Sequence, residues 1–241
     1  MQTFIPHEIK WSAEKAERLW NYIFQKNPSY YSDLFGKDII NRTIIKTGKL
    51  DDKTILDYGC GPAFFIDHFT DSNIRPKKYI GLDFSEESIN TISNKRANFD
   101  LSGICINTSK AQLEKDSIDV CFLIEVIEHL DDLQLSNTLT TIYHGLKSDG
   151  YLVITTPNNE NMELMKTMCP ECGCIYHKYQ HVRTWTKNSL SKYMNKFNFH
   201  QYYLDSVTFT PKNMSLKGHL KYFLKKILNK NDHKLFGLFQ K

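Results

Sequence analysis

The spacing of hydrophobic positions changes once along this chain, near residue 50. Before that point Trp11, Leu19, Trp20, Ile23 and Phe24 recur at broadly helical intervals, which predicts an amphipathic helical cap over residues 1–50. After it, short and almost continuous apolar runs alternate with helical stretches. Runs at 53–58, 78–83, 104–106, 118–124 and 151–155 are predicted strands. Helices are expected at 64–69, at 85–96 with Ser85 placed to cap it, and at 132–146 before the turn Ser148-Asp149-Gly150. Strands that are apolar on both faces and separated by helices imply a parallel sheet covered on both sides. In such sheets ligands bind beyond the carboxyl ends of the strands, and Asp57, Asp83 and Glu125 all fall there.

Composition narrows the picture modestly. At 241 residues, 41% hydrophobic and 24% charged, the chain can bury a core without metals or disulfides. The formal charge of +4 is unevenly spread. Eight lysines (212, 217, 221, 225, 226, 230, 234 and 241) face one acid, Asp232, from Lys212 onward. No arginine-rich cluster appears, so charge gives little support for a nucleic-acid partner. No apolar stretch approaches a membrane span and no cleavable leader is evident, so a cytoplasmic location is expected. Cys60, Cys105 and Cys121 lie in core-like runs, whereas Cys169, Cys172 and Cys174 crowd too closely to form a disulfide framework.

The turn Gly59-Cys60-Gly61 between the first strand and its helix lets backbone approach a ligand that a Cβ would exclude. Asp57 directly before it would repel a pyrophosphate but suits the ammonium of an amino-acid-bearing ligand. Asp83, 26 residues later, suits paired ribose hydroxyls. These segments resemble those of class I S-adenosylmethionine-dependent methyltransferases. Ile55-Leu56-Asp57-Tyr58-Gly59-Cys60-Gly61 is similar to their first motif and Tyr79 to Ser85 to their second. Ile118-Asp119-Val120 through Glu125-Val126-Ile127-Glu128-His129-Leu130 resembles their fourth strand and its exit, and Gly150 to Asn158 their fifth. The match runs from about Lys53 to Asn158 and continues weakly to about Phe209. The resemblance implies S-adenosylmethionine as cofactor and S-adenosylhomocysteine as product. It places Asp57, Tyr58, Gly59, Cys60 and Gly61 at the methionine end, Asp83 and Phe84 at ribose and adenine, Ala111, Gln112 and Leu113 beside the adenine, and Ile124 and Glu125 in the same pocket. Ala63 stands where the family usually has glycine.

Methyl transfer from a sulfonium is an in-line displacement that needs a base only when the acceptor must lose a proton. His129, with Glu125, is the candidate catalytic pair, although a Glu-His-Leu ending also serves packing. The segment at about 160–186 is expected to form a lid. In it Cys169, Cys172, His177 and His181 have the spacing of a zinc knuckle, with Cys174 a substitute ligand or a free thiol. Reduced thiols and substrate-facing histidines are the other reading. A rival metal reading groups Glu125, Glu128, His129 and His181, resembling the site of small-RNA 2′-O-methyltransferases. Residues 211–241 are expected to form a basic amphipathic tail, lying on an anionic membrane surface or packed on the sheet.

The resulting expectation is a doubly wound, mostly parallel Rossmann-like α/β domain at 51–210, with a helical N-terminal extension, a Cys/His-rich lid and a basic C-terminal helix. Its expected activity is O-methylation of a small-molecule or glycan-type acceptor. The alternatives are a metal-dependent RNA 2′-O-methyltransferase and a non-catalytic binding protein that kept the cofactor fold.

Overall fold

The computed structural model describes residues 5–26, 30–106, 113–212 and 233–241. Its central sheet has seven strands: β2 (Thr54–Tyr58), β3 (Lys78–Asp83), β4 (Asp100–Cys105), β5 (Ile118–Ile124), β6 (Leu146–Pro157), β9 (His200–Val207) and β10 (Lys234–Gln240). They lie in the order β4-β3-β2-β5-β6-β10-β9, parallel from β4 through β6, with β10 antiparallel to both of its neighbours.

Side chains along each strand alternate between two cores, as the period of two requires. Leu56, Cys121, Leu123, Leu152 and Ile154 enter one core. There they meet Leu135, Leu139 and Ile142 of α5 (Asp132–Gly145) and Leu190 and Met194 of α6 (Lys187–Asn195). Ile55, Val120, Phe122, Ile124 and Val153 enter the other, against Ile39 and Ile40 of α2 (Tyr31–Thr47) and Phe65, Ile66 and Phe69 of α3 (Phe64–Asp71). The helices begin where capping chemistry starts them. Ser85 accepts the Ser88 N–H at the head of α4 (Glu86–Ser93). Asp131 and Gln134 form a reciprocal capping box on α5.

Two further parts shape the site. Helix α1 (Ala13–Lys26) buries Trp20 toward the carboxyl ends of the strands. After β6, a 3₁₀ turn at Met162–Met165 leads into the hairpin of β7 (Lys166–Met168) and β8 (Cys174–His177). β1 (His7–Glu8) pairs with β8 to make a small second sheet in the order β1-β8-β7.

The structure corrects the expected C-terminal tail. Lys234–Gln240 is an inner strand of the main sheet, hydrogen-bonded to β6 on one side and β9 on the other. Leu235-Phe236-Gly237-Leu238-Phe239 is apolar without interruption, and only a strand with neighbours on both edges and cover on both faces buries all of it. Leu235 and Phe239 reach one core, Phe236 and Leu238 the other, with a register shift between Leu238 and Phe239. The amphipathic stretch before it lies outside the described residues. Among the described residues, no helix is long and apolar enough to cross a membrane.

Candidate functional site

The first half of the site is the turn after β2. Gly59 and Cys60 both donate their N–H to Leu82 O, at 2.6 and 3.1 Å, which fastens the turn to β3. Gly59 has a φ of 78°, and a Cβ there would stand 2.6 Å from Val126 Cγ2, so the position requires glycine. Asp83 Oδ2 accepts the Gly61 N–H at 2.9 Å and Oδ1 the Ser85 N–H at 2.9 Å. Asp57 is fully buried and accepts the Tyr79 hydroxyl at 2.5 Å. Burial pushes its carboxyl up to about 7, against the lowering effect of that hydrogen bond. Burial also raises Asp83 despite its N–H donors. Ala63 takes a left-handed conformation (φ 55°) at the N-cap of α3, which explains why a glycine suits this place.

These groups line a cavity of about 310 Å³. Of the residues expected to hold cofactor, Asp57, Tyr58, Gly59, Cys60, Gly61, Asp83, Phe84, Ile124 and Glu125 line it. Leu113 does not; it is buried in the core against Gly145. Ala111 and Gln112 lie outside the described residues. The sequence reading missed the roof. Trp20 and Phe24 of α1, with Tyr30, close the cavity. Trp20 Nε1–H donates to Gln180 Oε1 at 2.8 Å, and Gln180 Nε2 donates to His129 O at 3.1 Å, so α1, the lid and the β5 exit are joined. The only hint in the sequence was an aromatic face on the first helix.

The second half is a neighbouring cavity of about 530 Å³. Trp20, Tyr30, Glu125 and His129 line both cavities and form the partition between them. Glu125 has a φ of 53°, a strained backbone for a glutamate, and follows β5 directly. Its Oε1 accepts from Thr155 Oγ1 at 2.9 Å, and its Oε2 is ion-paired with Lys234, whose ammonium also lies 4.6 Å from the Tyr31 ring centroid. Glu128, His129 and His181 each bring one ligand atom within 4.8 Å of the others. Glu128 Oε1 and His129 Nδ1 are buried with no hydrogen-bond partner. Burial, with the nearby Glu125 charge, raises Glu128 well above the usual carboxylate range. Burial and then His181 lower His129 to about 3, so it is neutral at physiological pH.

Glu160 organises the histidines behind this cluster. Burial alone would raise its pKa, but the His181 hydrogen bond and the nearby imidazoles outweigh that and keep it lowered. It therefore accepts Nδ1–H from His181 and fixes the orientation of that ring. His177 stacks on His181 with centroids 4.4 Å apart. Its Nδ1 accepts N–H bonds from Tyr179 and His181 at 3.3 and 3.2 Å, so its proton sits on Nε2, 3.6 Å from Glu160.

The expected zinc set of Cys169, Cys172, His177 and His181 is not brought together. The cysteines lie at the turn of the β7–β8 hairpin, while His177 pairs with Lys166 at its other end. Cys174 and His177 stand three positions apart on an extended strand, roughly 10 Å. Neither candidate metal cluster among the described residues contains a cysteine.

With this geometry in view, the similarities to known proteins fall into place. The pattern described as "methyltransferase domain" matches residues 21–203. A Haloferax volcanii methyltransferase complexed with the Trm112 activator superposes with a TM-score of 0.68 at 15% identity, covering 95% of this chain and 97% of the other. A Burkholderia thailandensis 1,6-didemethyltoxoflavin-N1-methyltransferase, solved with its substrate and S-adenosylhomocysteine, gives 0.65 at 14% identity, covering 98% and 93%. A small RNA 2′-O-methyltransferase of Arabidopsis thaliana is 23% identical over 165 residues, 59% of this chain. The match spans only 17% of that relative's length. The chain belongs to the methyltransferase-domain family and is a class I S-adenosylmethionine-dependent enzyme. The residues present fit that cofactor: the glycine turn lines the first cavity, and each Asp83 oxygen keeps a lone pair beyond its N–H bond.

Proposed function

We propose that the enzyme methylates a hydroxyl of a small-molecule or glycan-type acceptor bound in the second cavity, beside a divalent-cation site made by Glu128, His129 and His181. The observation that carries this reading is Glu128 Oε1, a buried oxygen without a hydrogen-bond partner that lines the second cavity and lies 4.0 Å from His129 Nε2. Buried polar atoms are almost always paired, and a carboxyl oxygen beside imidazole nitrogens is a donor set that a cation completes. When bound, a divalent cation supplies Lewis acidity that lowers the pKa of an acceptor hydroxyl.

The chain's own residues do the rest. The glycine turn and Asp83 would hold the cofactor in the first cavity. Glu160 orients the His181 ring. Trp20, tied down through Gln180, and Tyr30, edge-on to the Trp20 ring, exclude water from the line of transfer. When bound, S-adenosylmethionine would supply an electrophilic methyl: the acceptor oxygen would take it as the carbon–sulfur bond breaks, the hydroxyl proton would be lost to solvent, and S-adenosylhomocysteine would be the product.

A second reading takes RNA as acceptor, and the similarity to the small RNA 2′-O-methyltransferase favours it. One experiment separates the readings. Methyl transfer from labelled cofactor is measured on hydroxyl-bearing small molecules, glycans and short RNAs, with chelator or with added Mg²⁺, Mn²⁺ or Co²⁺. Activity should vanish with chelator. His181→Ala should lower turnover by about 100-fold or more while S-adenosylhomocysteine still binds. Full activity of the variant in chelator would remove the cation site. Label confined to RNA 2′-oxygens would establish the second reading.

A further inference from the structure

The methyl-transfer site makes no use of the three lid cysteines, yet the turn that carries them is highly ordered by hydrogen bonds. The backbone N–H groups of Cys172 and Glu171 and the Cys172 thiol hold the Cys169 thiol below its usual range. Gly173, with a φ of 75°, donates its N–H to Cys169 O at 2.9 Å. Pro170 sits between them, where no N–H is needed.

Register decides its neighbours. Met168 stands opposite Ile175, and the ladder continues with Cys169 N–H donating to Cys174 O at 2.9 Å. On the other edge of Cys174, β1 places His7 as its partner, with the His7 N–H donating to Gly173 O at 3.0 Å. Paired residues on adjacent strands put their side chains on one face. One row across the small sheet therefore holds His7, Cys174 and Cys169. Cys172 lies in the four-residue turn, 170–173, that joins Cys169 to Cys174.

We propose that His7, Cys169, Cys172 and Cys174 form a structural zinc site at the tip of the lid. Three thiolates and one imidazole are a closed tetrahedral set. Their ligand atoms are not gathered within 4.8 Å of one another as they stand; strands about 4.8 Å apart leave them within side-chain rotation of the roughly 2.3 Å zinc–sulfur distance. All four residues are exposed or half-buried, so the ion reaches them without opening the core. The staple joins the N-terminal strand to the hairpin whose far end packs His177 on His181. It holds the lid and leaves the methyl-transfer cavities free.

The test is cobalt titration of the metal-free full chain. The expected result is a thiolate-to-cobalt charge-transfer band that saturates at one equivalent and is displaced by zinc. The Glu128–His129–His181 cluster has no sulfur, so cobalt bound there gives no such band. Cys172→Ser should abolish the band, and His7→Ala should weaken cobalt binding about tenfold or more. His177→Ala and His181→Ala should leave it intact. No band in the unaltered protein, or a band lost in His177→Ala but kept in Cys174→Ser, overturns the proposal. The titration of the unaltered chain decides the point even where a variant misfolds.

Discussion

The two cavities meet at one partition but are built in different ways. The cofactor side comes from residues close in sequence, at the ends of β2 and β3, and its carboxylates are engaged: Asp83 by two N–H groups, Asp57 by a hydroxyl. The acceptor side draws Glu128 and His129 from beyond β5, Glu160 and His181 from the lid, and Lys234 from the last strand, and it leaves buried atoms unpartnered. A finished half binds a ligand of fixed shape. An unfinished half marks where a ligand's own charge completes the structure.

The sharpest way to break this comparison is to damage the finished half alone. Gly59→Ala forces a left-handed alanine and a Cβ against stiff Val126. It should lower stability by about 2–3 kcal/mol and weaken S-adenosylhomocysteine binding at least tenfold in calorimetry. Cobalt binding at the acceptor cluster should remain. Equal loss at both sites would mean that the halves are one cooperative unit.

Next in size is the burial of Asp57. Its folded pKa, about 7, lies above its unfolded value, so its contribution to stability is full below about pH 4 and is lost as pH rises through 7. Asp57→Asn lacks this dependence. In denaturant titrations without cofactor, the stability of the natural protein relative to the variant should therefore fall between pH 4 and 7. The fall should be on the order of 3 kcal/mol. A flat difference would mean that Asp57 is ionised throughout.

The smallest effect concerns Lys234. Its ammonium occupies Glu125 beside the cluster, so a nearby positive charge opposes a cation. Lys234→Met should tighten Mn²⁺ binding about tenfold, as expected for removal of one like charge at an intermediate dielectric. Unchanged or weaker binding would show that Lys234 does not compete with the cation.

Much of the cofactor side was legible because its chemistry is local. A strand, a glycine turn and a carboxylate follow one another in a few residues, and strands β3 and β5 end where their apolar runs end. The acceptor side was legible only in fragments. His129 and His181 drew attention as residue types, but Glu160 did not, because nothing near it in sequence marks it as the partner of His181. Cys169 and Cys172 suggested the nearest downstream histidines, whereas strand pairing brings His7, more than 160 residues earlier, beside Cys174.

The sequence by itself determined the alternation of strands and helices, the caps of α4 and α5, and the turn that only glycine can make. These follow from local sterics, local hydrogen bonds and the period of apolar positions. The tertiary structure decided that the last apolar run is an inner strand, that α1 roofs the cofactor cavity, and which acids meet which histidines. Those choices depend on pairing and burial between segments far apart in the chain, where no local preference favours one partner over another.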